Sequence, residues 1–160
     1  MKLLLSRTGL IASLVFSLFI AVGCTSAPGP DLGPRATSAE VTKHVSGNFF
    51  AFQKGGTYFD PDGTYKMILG SGDSITIGKW FFMHKTVLCQ EGIHYYSDGG
   101  KTKSINGRSC SELRIQPDGT SISEGIFNGK VVDFSVIIAA PVRGFPLQSK
   151  FNSLRRSLGV

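Results

Sequence analysis

The sequence predicts an all-β domain, a small antiparallel up-and-down barrel of about eight strands, with a short N-terminal helix and a C-terminal segment of helical spacing. Two observations carry this. Eight to nine short apolar runs, rich in Phe, Tyr, Ile and Val, follow one another from Asn48 to Ile138 with no long helical period between them. Turn chemistry of a specific kind separates them: Asp60-Pro61-Asp62-Gly63, the echo Pro117-Asp118-Gly119-Thr120, and Asn128-Gly129. A sandwich would satisfy the same pattern. A barrel also removes the sheet edges that an open sheet would expose.

The compartment follows from residues 1–23. Lys2 and Arg7 form a positive start, Leu10 to Val22 an apolar run, and Gly23-Cys24 the end. The run is too short to span a bilayer core, which needs about 20 apolar residues. Ile20-Ala21-Val22-Gly23-Cys24 resembles the bacterial lipobox, in which the cysteine is lipidated and becomes the first residue of the mature chain. Several acyl chains hold a protein on a membrane almost permanently, whereas one does so only marginally. By resemblance to enterobacterial sorting rules, Thr25 implies the outer membrane. Residues 24–36, with three prolines and two glycines, read as an extended spacer between the lipid and the fold.

Thr37-Ser38-Ala39-Glu40 fits a capping box, Val41, His44 and Val45 share one side, and Gly47 supplies a stop, so a helix of about two turns is expected. Strands then begin with Phe49-Phe50 and turn at Lys54-Gly55-Gly56. Thr57-Tyr58-Phe59 and Thr64–Leu69 flank the Asp60–Gly63 hairpin turn. Ser74–Ile77 alternates, Gly78 marks a bend, and Lys79–Met83 continues with Trp80 as a core anchor. Thr86–Cys89 and Ile93–Tyr96 are further strands, and Ser97–Gly100 and Ile105-Asn106-Gly107 read as loop and turn. Ser109–Ile115, Ser121–Ile122 and Val131–Ile138 complete the domain, 37–140. In the basic tail, 141–160, Phe151, Leu154 and Leu158 stand at helical spacing. A helix packed on the barrel is favoured over one resting on anionic lipid, because the apolar face is narrow.

Charge excludes one class of function. The chain has 17 basic and 11 acidic residues, but Lys2 and Arg7 precede Cys24 and Arg143, Lys150, Arg155 and Arg156 follow Pro141. What remains is neutral, so nothing spreads basic residues across a face as nucleic-acid binding requires. With Cys24 lipidated, Cys89 and Cys110 are left in an oxidising compartment, where a disulfide is the default. It closes a loop of about 22 residues, on the order of 3 kcal/mol in the chain-entropy model. His84, Cys89 and His94 match no zinc spacing and find no fourth ligand, so no metal and no cofactor are expected. Asp60 and Asp62 beside Gly63 lack the flanking helices and the closing Glu of a calcium loop. No nucleophile elbow, zinc-protease or phosphate-loop motif occurs, and the chain is expected not to be an enzyme. Glu124 and Asp133 lie within strands, where an inward acid would be of interest.

Taken in order, the helix ending in Ser46-Gly47-Asn48, Tyr58–Thr64, Gly78-Lys79-Trp80, Leu88-Cys89 and the later Cys110 resemble family 995 of the domains of unknown function, small secreted and lipoprotein-like chains of alphaproteobacteria. The resemblance covers roughly residues 37–130. It implies a lipocalin-like barrel and an envelope location, and no activity. The long segment between Cys89 and Cys110 and the basic tail depart from the pattern. The functional expectation is a lipid-anchored, non-enzymatic barrel that binds a small apolar ligand or an envelope partner. The alternative is a periplasmic inhibitor of a lysozyme or protease. It would act through the disulfide-closed 90–109 segment, with Tyr95, Tyr96 and Lys101 as contacts, since Tyr is favoured at interfaces.

Overall fold

The structure is a computed structural model that describes residues 32–127 and 130–160, the side chains of 126, 127 and 130–136 excepted. The leader, the Cys24 lipidation site, the spacer up to residue 31, the Asn128-Gly129 turn and the Asp133 side chain lie outside the described residues.

The elements are α1 (Ser38–Val45), β1 (Asn48–Phe52), β2 (Gly55–Phe59), β3 (Thr64–Ile68), β4 (Ile75–Met83), β5 (Val87–Asp98), β6 (Lys101–Ile115), β7 (Ser121–Phe127), β8 (Lys130–Ile138), β9 (Val142–Arg143) and α2 (Gln148–Ser157). The strands form one antiparallel sheet in the order β8-β7-β6-β5-β4-β3-β2-β1-β9. β8 and β9 are the two edges of this sheet, yet only residues 139–141 join them, a reach of at most roughly 14 Å. The sheet therefore curls back on itself into a half-barrel.

The α1 capping box forms as its sequence requires: the Glu40 amide donates to Thr37 Oγ1, and the Thr37 amide donates to Glu40 Oε2 at 2.8 Å. The helix lays Val41 and Val45, both fully buried, on the concave face against Phe50, Phe59, Tyr65, Leu88 and Leu113. Each valine contributes about 1.5–3 kcal/mol of burial. Phe50, Phe59, Trp80 and Phe82 continue this core as edge-to-face pairs. On the convex face α2 packs Phe151 and Leu158 over Ile68 and Ile75. With α2 packed and β9 paired to β1, the segment after Pro141 is integrated into the sheet.

Both Pro-Asp-Gly-Thr turns fold alike. Asp62 Oδ1 accepts from the Thr64 amide at 2.8 Å, and Asp118 Oδ1 accepts from the Thr120 amide at 2.9 Å. Gly63 and Gly119 take φ of +86° and +83°, which a side chain resists. These bonds hold the Asp62 and Asp118 carboxyls below the usual range, the Thr64 and Thr120 hydroxyls being the larger cause in each case.

Three sequence expectations are corrected. Lys54-Gly55-Gly56 is not the first turn: the chain reverses at Gln53-Lys54, and both glycines lie in β2. They are glycines because a Cβ at Gly55 would lie 2.1 Å from the Ile68 oxygen, and one at Gly56 would lie 2.2 Å from the Phe49 ring. The 90–109 segment is not a loop. Val87 to Glu112 is one continuous hairpin, paired residue for residue and reversing between Asp98 and Lys101. Ile105-Asn106-Gly107 is accordingly mid-strand rather than a turn.

Cys89 and Cys110 are disulfide-bonded and stand directly opposite each other, with Cα atoms 4.1 Å apart. Three residues farther out on each strand, the same register pairs Gly92 with Gly107. Gly92 also pairs with Gly78 on β4, and Gly78 with Tyr65 on β3. One row therefore crosses four strands as Tyr65–Gly78–Gly92–Gly107. A Cβ at Gly78 would lie 2.6 Å from Tyr65 Cε1 and 2.2 Å from the Glu91 oxygen. At Gly92 it would meet the Ile77 oxygen at 2.5 Å and Tyr65 Oη at 2.8 Å. The tyrosine ring thus occupies the space that side chains on β4 and β5 would take. Gly107, at the end of the row, has nothing within 4 Å.

The row predicts an asymmetry. Gly78→Ala and Gly92→Ala should each cost about 1–3 kcal/mol through forced backbone shifts, while Gly107→Ala should be neutral or stabilise by up to about 1 kcal/mol. Urea unfolding midpoints measure this; equal effects at the three positions would contradict the row.

Candidate functional site

Side chains alternate across a strand, so the row decides what the concave face offers. Tyr65, Met67, Thr76, Gln90, His94 and Ser109 rise around Gly92, which the Tyr65 ring covers, and the bare backbone at Gly107, and line an open trough of about 240 Å³. His94 is held in place twice: its Nδ1 lies 3.3 Å from Thr76 Oγ1, and its ring stacks on Tyr96 at 5.4 Å. Beyond His94 the trough continues into a recess of about 460 Å³ lined by Asp73, Ser74, Tyr96, Ser97 and Ile105. Ile105 is 56% exposed there. α1 and the aromatic core fill one half of the concave face, and the trough occupies the other.

Tyr65 is the wall of the trough and is almost wholly buried. Burial, and secondarily the Glu91 carboxylate, push its phenol up to about 12. The fold thus holds the neutral phenol, an apolar ring with a hydroxyl at its rim.

A second cleft, of about 440 Å³, lies between α1 and the β8–β9 connection, with Arg35, Lys43, His44 and Pro141 on its walls. Burial holds His44 below the ordinary histidine value, and its ring packs against Phe50 at 5.3 Å. This side of the domain is clamped by charge. Arg35 reaches Glu112 at 2.7 Å and Glu124 at 3.8 Å, while Arg114 pairs with Glu124 at 3.2 Å and donates to the Gly33 carbonyl. The Ala36 amide donates to the Leu113 oxygen at 2.8 Å beside them. The chain arriving from the N-terminus is thereby fixed onto β6. Glu124, singled out in the sequence as an inward acid, belongs to this clamp and not to the trough.

The residues proposed as partner contacts separate. Tyr95 packs under α2 on the convex face, Tyr96 stacks on His94 on the concave face, and Lys101 sits exposed at the hairpin tip. Adjacent strand residues point to opposite faces, so Tyr95 and Tyr96 do not form one contact patch. The three residues weighed as metal ligands are likewise kept apart. His84 is in the β4–β5 turn, Cys89 is in the disulfide, and His94 faces the trough. Among the described residues no group of three or more His, Cys, Asp or Glu could hold a metal ion, and no helix is long and apolar enough to cross a membrane.

Sequence reasoning missed the trough, because its floor consists of residues without side chains. A signal was nonetheless present. If the two cysteines are placed opposite each other on antiparallel strands, Gly92 and Gly107 fall opposite too.

No family model matches the chain, and comparison with curated proteins and with solved structures gives no significant match.

The Tyr65 phenol gives this site a pH signature. Its raised value means that its contribution to stability is complete below about 10, the ordinary tyrosine value, and is lost as pH rises through about 12. Ultraviolet absorbance titration should show one phenol ionising about two units late, and Tyr65→Phe should remove that step. A wild-type titration with every tyrosine near the ordinary value would contradict the burial.

Proposed function

We propose that this is a non-enzymatic binding protein of the bacterial cell envelope. It is held at the outer membrane by lipid on Cys24 and takes up a small, largely apolar ligand in the concave trough. Membership of the family that residues 37–130 resemble belongs to the same proposal. The observation that carries the ligand reading is the bare backbone at Gly107, just past the Tyr65-covered Gly92 and walled by Tyr65, Met67 and His94. A flat apolar group can approach a glycine floor closely, stack against ring edges, and still find the Gln90 amide, the Ser109 hydroxyl and an imidazole for orientation. The trough is open along its length, which suits a ligand that enters sideways from a lipid surface nearby. Residues 33–36 of the 24–36 spacer are held on β6, so any turning of the concave face toward that surface would rest on the Pro- and Gly-containing residues before them.

A second reading, inhibition of a lysozyme or protease, draws support from one feature. The 90–109 segment is a hairpin pinned at its base by the disulfide and at its tip by the Thr102–Leu158 hydrogen bond, which is the pre-organisation an inhibitor needs. In that reading Tyr96 and Lys101 are the contacts, and Tyr95 serves only to seat the hairpin on α2.

The test uses Gly107, where a Cβ would meet nothing within 4 Å. Native mass spectrometry of protein extracted from its own membrane in mild detergent should show a lipid-sized adduct on the wild type. That adduct should be absent from Gly107→Phe, whose ring points into the trough, at an unfolding midpoint matching that of Gly107→Ala. A wild type that carries no adduct, or a Gly107→Phe variant that keeps it, would overturn the trough reading.

A further inference from the structure

The β5–β6 hairpin has an unfinished side. β7 pairs with β6 only from Cys110 to Ile115, so among the described residues the nine from Lys101 to Ser109 have a strand on one side alone. All nine are exposed. Which backbone groups face outward can be worked out from the disulfide. A Cα separation of 4.1 Å at Cys89–Cys110 marks a pair whose amides and carbonyls point away from each other. By the period of two, Thr102, Ser104, Asn106 and Arg108 also turn their N–H and C=O groups away from β5, toward the open edge. Lys103, Ile105 and Gly107 bond to β5.

We propose that this edge is a docking site for an acidic, extended peptide segment of a partner protein, which adds to the sheet as a strand in line with β7. Four observations bear on it. Four residues present eight backbone groups in ladder register, enough for an added strand of about nine residues. The edge carries Lys101 and Lys103 and no acid between Lys101 and Ser111, Arg108 being turned back onto the Glu91 carboxylate of β5, so it favours a negatively charged strand and repels a second copy of itself. The recess lined by His94, Tyr96 and Ile105 lies beside it and offers a pocket for every second side chain of the incoming strand. Finally, the edge is held rigid at both ends. The disulfide fixes its base, and at the tip Thr102 Oγ1 donates to the Leu158 carbonyl of the α2 terminus at 2.9 Å. Little ordering cost therefore remains when the partner strand arrives. This site adjoins the trough at His94, but strand addition at the edge does not require the trough's ligand.

Amide exchange on the isotope-labelled mature chain in detergent micelles tests the proposal, with a ten-residue peptide of alternating Glu and Val as probe. In the free protein the amides of Thr102, Ser104, Asn106 and Arg108 should exchange fast, while those of Lys103, Ile105 and Gly107 exchange slowly. Peptide at roughly ten times its dissociation constant should slow the four outward amides about tenfold. Ser104→Pro and Asn106→Pro remove outward donors without touching the β5 ladder and should abolish the effect. Lys101→Glu with Lys103→Glu leaves the backbone intact and should abolish it as well. Three results would overturn the proposal: slow exchange of the four amides without peptide, equal protection by a Lys–Val peptide, or protection that follows protein concentration alone.

Discussion

A tyrosine ring seated over two glycines is the contact on which the shape of this sheet depends. Side chains on neighbouring strands normally keep the pleated backbones filled on both faces. At Gly78 and Gly92 that space is empty of side chains, and the Tyr65 ring enters it from β3. The ring supplies the apolar cover the glycines lack, and the close backbone approach at the row is available for β4 and β5 to bend. The curl has two consequences. It brings the two sheet edges near enough for residues 139–141 to join them, and it makes a concave face on which α1 can bury Val41 and Val45. The same row, running one residue past the ring to Gly107, leaves an uncovered stretch of floor. Fold and candidate site are two ends of one line of residues.

The disulfide matters to this line through register more than through loop entropy. Because side chains alternate with a period of two, a one-residue slip between β5 and β6 would send Gly107 to the convex face and a bulky neighbour into the trough. Cys89 opposite Cys110 forbids that slip. It also keeps Glu112 at the height where Arg35 and Thr86 reach it. The clamp on the incoming chain and the floor of the trough are thus both tied to one covalent pair. The convex face is stabilised independently by α2, whose Phe151 and Leu158 seat on β3 and β4 and whose terminus holds the hairpin tip.

Local chemistry made much of the fold legible. The capping box, both Pro-Asp-Gly-Thr turns, the Trp80 anchor and the cysteine pair depend on neighbours in sequence or on compartment, and each is found as its residues require. Glycine is where sequence reasoning failed. Gly55, Gly56 and Gly107 carry the composition of turns but lie in strands: Gly55 and Gly56 because neighbouring strands leave no room for a Cβ, and Gly107 with open space on its face. Hairpin length was illegible for a related reason. Residues 97–109 are polar or glycine on both faces apart from Ile105, so alternation gives no strand signal, and only pairing to β5 makes β6 a strand there. The site inherits that blindness: its walls were visible as aromatic and polar residues, its floor was not.

Proton resonance positions test the central contact without altering it. A ring seated over Gly78 and Gly92 shifts their Hα resonances upfield and gives cross-relaxation between the Tyr65 ring protons and both glycines, whereas Gly107 keeps ordinary strand values. Upfield shifts confined to Gly78 and Gly92 would establish the row as described. Ordinary shifts at both, or cross-relaxation from Tyr65 to Gly107, would mean that the ring lies elsewhere and that the curl has another cause.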